Sequence, residues 1–299
     1  MTNDASPDDG RWTDAQGRVI DEDHRGLVYD IRTLIDRRRA LGIFGGVALT
    51  SLLAACGATG GAGASPNASA TSASSGGTPT PSASASAAAS APLAEVPDET
   101  GGPYPGDGSN GVNVLDDSGI VRSDIRSSFG SSSTVADGVA LTIALTLRDA
   151  STGAALAGRG VYLWHCDREG RYSLYSAGVE NENYLRGVQE TGSDGTVRFT
   201  SIYPACYSGR WPHIHFEVYD DVATAVASGP IVKTSQIALP DETNAAVYAT
   251  SGYESSVRNA AQVTLSSDNV FGDDQGIHQI ATMAGSAQAG YTASLTVGI

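Results

Sequence analysis

Two histidines, His213 and His215, stand one residue apart in the segment CYSGRWPHIHFEVYDD, residues 206–221. Side chains at positions i and i+2 of a β-strand point to the same face, so the two imidazoles can reach a common point while Ile214 points to the opposite face. This geometry suits two ligands of one metal ion, but paired histidines also occur in cores and on surfaces without a metal. The pair by itself leaves both interpretations open.

Two tyrosines near the pair favour ferric iron. Tyr207 lies shortly before His213, and Tyr172 ends the turn in HCDREGRYS, whereas no Asp or Glu lies at ligand spacing. The missing carboxylate disfavours an iron(II) site built from two histidines and one carboxylate. Tyrosine loses its proton only near pH ~10, so a phenolate at neutral pH needs a strongly positive partner. Zinc would more often recruit Cys, His or carboxylate.

The elements that must position these side chains are short strands. Apolar residues alternate with polar ones in short segments that Gly-rich turns separate, which predicts an all-β domain, an antiparallel β-sandwich with long loops and little helix. One short helix is predicted near residues 240–250, where Pro and acidic residues stand at the start. The predicted strands are residues 139–150, 161–166, 195–204, 213–220, 235–239 and 291–299.

The chain divides by composition into three parts. Residues 57–94 are rich in Gly, Ala, Ser, Thr and Pro and carry almost no large apolar side chain, which predicts a flexible linker. Residues 95–299 then form one β-rich domain. The formal net charge of −15 disfavours nucleic acid and anionic lipid headgroups as partners.

Residues 1–56 are interpreted as an N-terminal region that contains an export signal. The run from Arg38 to Leu41 resembles a twin-arginine export signal, and the run from Leu53 to Cys56 resembles a bacterial lipobox. The apolar stretch between them is short and Gly-rich for a membrane span. We therefore expect an exported, extracytoplasmic protein that lipid on Cys56 anchors to the bacterial cell membrane, with an uncleaved N-terminal membrane anchor as the alternative.

Cys166 and Cys206 remain as an even pair. In an oxidising compartment such a pair predicts a disulfide, although two buried free thiols are the alternative and a Cys/His zinc site is a weaker one. His165, beside Cys166, is interpreted as a packing residue.

Three segments resemble the intradiol ring-cleavage dioxygenases, the group of catechol and protocatechuate 3,4-dioxygenases. They are VYLWHCDREGRYS, the long segment from Asn183 to Tyr219, and KTSQIALP, with TGGPYPGDG and VRSDI before them, so that the resemblance covers about residues 100–240. It implies a β-sandwich that holds one non-haem Fe(III) per chain. Carried over by position, the iron ligands are Tyr172, Tyr207, His213 and His215.

The resemblance also implies roles beyond the ligands. Tyr207 is the ligand that substrate displaces, Arg210 stabilises negative charge on the ring, and Gln236 is the family's active-site glutamine. The implied reaction cleaves a catechol-type ring between its two hydroxylated carbons with O2 and gives a cis,cis-muconate type diacid.

The identity of the catechol and the oligomeric state stay open. An acidic catechol would need cations in the pocket, for which Arg122, Arg126 and Arg186 are the candidates near the motifs. The alternative function is a noncatalytic, lipid-anchored β-sandwich module that has kept the fold and binds a ligand.

Overall fold

The computed structural model describes residues 92–299. The export signal, the lipobox with Cys56, and the linker up to residue 91 lie outside the described residues and stay predictions. Within residues 92–299, no helix combines the length and the apolar character that a membrane crossing requires.

The domain is built from two four-stranded sheets. The first has the order β4-β1-β8-β7 and the second the order β3-β2-β5-β6. The strands are β1 (Ala140–Arg148), β2 (Gly160–Trp164), β3 (Arg186–Glu190), β4 (Thr196–Ile202), β5 (His213–Tyr219), β6 (Ile231–Ala238), β7 (Thr282–Ser286) and β8 (Gly290–Gly298). The predicted β-sandwich is confirmed.

Strand direction differs from the prediction at one place. β1 pairs with β8 in parallel, from Leu141 opposite Tyr291 to Arg148 opposite Gly298, while the other strand pairs are antiparallel. Most of the domain separates β1 from β8 along the chain, so no hairpin turn dictates an antiparallel direction.

Side chains along β5 alternate between the face that packs in the core and the face that carries the two histidines. Ile214, Phe216 and Val218 belong to the main hydrophobic core, together with residues of β1, β2, β4 and β8 from both sheets. His213 and His215 therefore point to the outer face of the second sheet. Long loops cover that face: their apolar side chains pack with β2 and β3 in a second cluster of Val114, Leu115, Ile120, Tyr162, Trp164, Cys166, Tyr172, Val188, Ala205, Tyr219 and Ala225.

Within residues 92–299, three short helices accompany the sheets: α1 (Val222–Val226), α2 (Asp241–Tyr248) and α3 (Glu254–Ala260). α2 confirms the helix predicted near residues 240–250. α1 and α3 were not predicted. α1 starts after Asp221, whose side chain caps the first turn by accepting a hydrogen bond from the backbone N–H of Thr224.

Candidate metal centre

His213 and His215 lie on an inner strand of the second sheet. Their strand, β5, is buried along its whole length and pairs with β2 on one side and β6 on the other. The indole of Trp164 on β2 stacks on the His215 ring, with centroids 4.9 Å apart and an angle of 6° between the planes. The sheet and this stack fix the direction of both imidazoles.

Hydrogen bonding sets which nitrogen of His213 carries the proton. His213 Nδ1 lies 2.6 Å from the carbonyl oxygen of Trp211, and a carbonyl can only accept, so the proton is on Nδ1 and Nε2 presents a lone pair. The Nε2 atoms of His213 and His215 are 3.1 Å apart. Burial lowers the pKa of both histidines well below the usual value, so both are neutral. Neutral imidazole is the form that binds metal ions.

Tyr172 reaches the same point from the loop between β2 and β3. Its side chain is buried, and its hydroxyl lies 3.4 Å from His213 Nε2. The ring of Tyr104 packs on it at 5.0 Å, and the backbone N–H of Tyr172 donates to Ser176 Oγ. Burial raises the pKa of the Tyr172 phenol well above its ordinary value, with Tyr207 adding to the rise. A phenolate at this position therefore requires a cation beside it.

Tyr207 comes from the loop between β4 and β5 and is only half-buried. Its hydroxyl lies 3.1 Å from His213 Nε2. The loop is anchored at the preceding residue, where the Cys206 N–H donates to Ser256 Oγ and the Cys206 carbonyl accepts from Asn259 Nδ2. The backbone of Gly170 runs close to Tyr207, since a Cβ added to Gly170 would lie 3.2 Å from Tyr207 Cβ.

The distances from His213 Nε2 to the other three donor atoms are compatible with one shared metal ion. Four atoms at about 2.0–2.2 Å from a central ion in tetrahedral arrangement lie about 3.3–3.6 Å from one another. From His213 Nε2, the distances to His215 Nε2, Tyr207 Oη and Tyr172 Oη are 3.1, 3.1 and 3.4 Å. Within residues 92–299, the buried His215 Nδ1 has no hydrogen-bond partner, so no hydrogen bond at Nδ1 fixes the tautomer of that imidazole.

The donor set favours ferric iron over zinc. Within residues 92–299 no group of three or more His, Cys, Asp or Glu side chains could hold a metal ion. The one cluster of donors described here combines two neutral nitrogens with two phenol oxygens, and hard anionic oxygen ligands suit a highly charged ion better than the Cys and His sets typical of zinc.

Arg210 and Gln236 lie beside the four donor atoms. Arg210 Nη1 is 3.5 Å from His213 Nε2, and Arg210 Nη2 donates to Gln236 Oε1 at 2.7 Å. Gln236 stands opposite His215 in the β5–β6 register and donates through Nε2 to the Thr100 carbonyl at 2.9 Å. The structure thus brings together all six residues that the sequence singled out: Tyr172, Tyr207, Arg210, His213, His215 and Gln236.

Sequence reasoning missed Asp268 as part of this site. Asp268 forms a buried ion pair with Arg210, between Oδ2 and Nε at 3.0 Å. It lies in a loop far along the chain, and no local pattern in the sequence marked it.

The predicted disulfide is not formed. Cys166 and Cys206 are both free and buried. Each thiol faces a different carbonyl: Cys166 Sγ lies 3.7 Å from Ala205 O, and Cys206 Sγ lies 3.4 Å from Arg210 O. Burial raises the pKa of both thiols.

The three arginines considered for an acidic substrate are otherwise engaged. Arg186 is buried, and its N–H groups donate hydrogen bonds to Tyr104, Pro105, Tyr162 and Ser173. Arg122 donates to the carbonyls of Ser127, Asn183 and Arg186, and Arg126 pairs at the surface with Asp124. These side chains stabilise loops rather than present charge to a ligand.

His165 is a packing residue. It is buried, with Nδ1 2.7 Å from the Cys166 carbonyl and Nε2 2.6 Å from Ser201 Oγ. Burial lowers its pKa to about 4. Both ring nitrogens thus have partners away from the metal centre.

Comparisons with known proteins find similarity to dioxygenases. The family model Dioxygenase_C, described as Dioxygenase, matches residues 128–224, a span that contains the four donor residues and Arg210. The chlorocatechol 1,2-dioxygenase of Rhodococcus opacus is 34% identical over 62 residues, which are 21% of this chain and 24% of that protein. The chain thus matches about a quarter of the length of this curated relative.

The chain is also similar to solved structures of dioxygenases. An intradiol ring-cleavage dioxygenase from Tetranychus urticae is 26% identical, with a TM-score of 0.51 over 61% of this chain and 88% of that chain. The dioxygenase domain of a dioxygenase–carbohydrate-binding fusion protein from Streptomyces sp. SirexAA-E is 20% identical, with a TM-score of 0.44 over 69% of this chain and 98% of that chain. In the match over residues 128–224 and in the fold shared with the Tetranychus urticae enzyme, the chain is similar to the intradiol ring-cleavage dioxygenases.

Proposed function

We propose that the chain is a non-haem Fe(III) dioxygenase that cleaves a catechol-type ring between its two hydroxylated carbons with O2. The product is a cis,cis-muconate type diacid. One observation carries the proposal: two tyrosine oxygens and the Nε2 atom of His215 lie 3.1–3.4 Å from His213 Nε2, beside the guanidinium of Arg210. The export signal and lipobox add that the enzyme works outside the cytoplasm on a lipid anchor at Cys56.

The four donor residues would hold one ferric ion per chain. When bound, ferric iron draws electron density from a chelated catecholate and makes the ring reactive towards O2. The buried Trp164 behind His215 and the ring of Tyr104 beside Tyr172 keep bulk water from these two sides of the centre.

Tyr207 is the residue placed to move a proton. A catechol that binds through both oxygens must lose two protons, and a phenolate oxygen can accept one of them. Tyr207 is half-buried on a loop, whereas Tyr172 is buried under Tyr104. Tyr207 is therefore the tyrosine that can leave and carry a proton with it.

Arg210 is placed to stabilise negative charge on the bound ring. Its Nη1 faces the point where the donor atoms converge, at 3.5 Å from His213 Nε2. In a buried site, a single fixed donor of this kind contributes about 2–4 kcal/mol to transition-state stabilisation.

The test begins with the purified exported protein. We expect stoichiometric iron, a visible phenolate-to-iron charge-transfer band, and O2 uptake with catechol. Tyr172→Phe and His213→Ala should lose the band and the O2 uptake, while Tyr291→Phe and His278→Ala, which change a tyrosine and a histidine outside the centre, should keep both. A colourless protein with stoichiometric zinc would refute the ferric centre, and catechol binding without O2 uptake would favour the noncatalytic module.

A further inference from the structure

Asp268 is a buried acid in direct contact with Arg210. It lies in the loop between α3 and β7, and neither its side chain nor that of Arg210 has any exposed surface. Arg210 Nε donates to Asp268 Oδ2 at 3.0 Å. The two opposite charges are thus both buried, next to the residues of the candidate metal centre.

The surroundings of Asp268 select a carboxylate. Oδ2 accepts a second hydrogen bond, from the N–H of Trp211 at 2.7 Å, and Oδ1 accepts from the N–H groups of Val270 and Phe271 at 2.8 and 3.0 Å. Both oxygens therefore face N–H donors only. An asparagine in this place would turn its own NH2 group towards two of these donors, so only an acid satisfies all four.

The contact fixes where Arg210 points. A guanidinium is a rigid planar fork, so holding two of its nitrogens sets the third. Asp268 holds Nε, Gln236 Oε1 holds Nη2 at 2.7 Å, and the Phe271 ring lies 5.9 Å from the guanidinium carbon. Nη1 is thereby directed at His213 Nε2.

The orientation of His213 depends less on Asp268 than the orientation of Arg210 does. Trp211, whose carbonyl orients His213, is also held by its own indole N–H, which donates to the Leu239 carbonyl at 2.8 Å. The Leu239 N–H donates in turn to the Pro212 carbonyl at 3.0 Å. Loss of Asp268 would leave these bonds to Leu239, which follows β6, intact.

We propose that Asp268 is a positioning residue for ring cleavage: its carboxylate holds the Arg210 guanidinium against the metal centre, and it affects the reaction only through Arg210. The proposal rests on the proposed dioxygenase function.

The kinetic test compares Asp268→Asn, Arg210→Gln and the double variant with the iron-loaded wild type. We expect Asp268→Asn to keep its iron and its charge-transfer band, and to lose about 10²-fold in kcat with catechol, as removal of one fixed electrostatic donor does. The KM should stay within about three-fold, because the interaction acts on the transition state. Asp273→Asn is the matched control, since Asp273 lies exposed on the same loop; it should keep the wild-type kcat.

The double variant decides whether Asp268 acts through Arg210. If it does, Arg210→Gln/Asp268→Asn has the same kcat as Arg210→Gln alone. Additive losses, or a wild-type kcat in Asp268→Asn while Arg210→Gln is slow, would overturn the proposal. The double variant leaves no unpaired buried charge, so it serves this comparison even where Asp268→Asn does not fold.

Crystal structures of the wild type and Asp268→Asn give a readout without turnover. The proposal expects the guanidinium to leave its place beside His213 in the variant while Tyr172 and Tyr207 stay, and an unmoved guanidinium would overturn it. A wild type that consumes no O2 with catechol would refute the proposed function instead, and the position of Arg210 in the two structures would still decide the role of Asp268.

Discussion

Arg186 is expected to stabilise the loop that packs on Tyr172. It stands on β3, buried, and all five of its N–H groups donate hydrogen bonds. The acceptors are the carbonyls of Tyr104, Pro105 and Ser173, the Ser173 hydroxyl and the Tyr162 hydroxyl, at 2.8–3.1 Å. One side chain thus joins the loop before β1 to the loop that carries Tyr172.

The cost of Arg186→Met follows from these partners. Methionine fills most of the volume but accepts and donates nothing, so the carbonyls of Tyr104 and Ser173 each lose their bond to Arg186 at about 1–3 kcal/mol apiece. Removal of a buried charge offsets part of this loss. We expect a net destabilisation of about 3 kcal/mol, which lowers the unfolding temperature of a domain of this size by about 6–12 °C.

The substitution should also weaken iron binding. Tyr104 packs on the Tyr172 ring at 5.0 Å, and Ser173 follows Tyr172 in the chain, so Arg186 holds two residues that adjoin Tyr172. Loss of residues that orient metal ligands typically costs 10–100-fold in affinity, and we expect about that range here.

Urea unfolding and iron titration measure the two effects. Arg126→Met is the matched control, because Arg126 is 43% exposed and pairs with an exposed Asp124, a contact worth at most about 0.5–1 kcal/mol. Equal unfolding midpoints and equal iron affinities for the two variants would refute the reasoning.

Three further predictions concern residues around the centre. Burial, with Asp273 adding to it, raises the pKa of Glu99 to about 8. The stability that the neutral Glu99 side chain contributes is therefore full below the ordinary pKa of a glutamate and is lost as pH rises through about 8. The urea midpoint of Glu99→Gln should lack this decline with pH, and equal pH slopes for variant and wild type would contradict the prediction. Because Cys166 and Cys206 are free, a reductant should leave the midpoint unchanged, whereas a disulfide would contribute about 2–4 kcal/mol. Gly170 has φ +90°, and a Cβ there would meet Tyr207 Cβ at 3.2 Å. Gly170→Ala should therefore destabilise the domain by about 1–2 kcal/mol and alter the visible band of the iron-loaded protein. An unchanged band would contradict the contact with Tyr207.

The sequence predicted the elements whose side chains alternate. β1, β5, β8 and α2 lie where apolar spacing or turn residues indicated them. β3, with the sequence RGVQE, and β7, with TMAGS, carry too few alternating apolar residues to be recognised. Both are edge strands that tertiary pairing creates.

The residues of the site also divide into those that a local sequence pattern predicts and those that it does not. Strand period alone placed His213 and His215 on one face, but Tyr172 and Tyr207 lie on loops, where only the family resemblance could place them. Asp268 could not be found, since its partner Arg210 is 58 residues away in the chain. The disulfide was wrong because an even number of cysteines says nothing about where their Sγ atoms point.

The two tyrosines differ in ways that decide which one can exchange with substrate. Tyr172 is buried under Tyr104, and its neighbour Ser173 is fixed by Arg186, so moving it would break a buried network. Tyr207 is half-buried, and the two hydrogen bonds that anchor its loop at Cys206 are made by the backbone of Cys206. Rotation of the Tyr207 side chain therefore leaves those anchors intact. The exchange in the proposed mechanism costs least at Tyr207, and Arg210, held by Asp268, stays beside the centre while it happens.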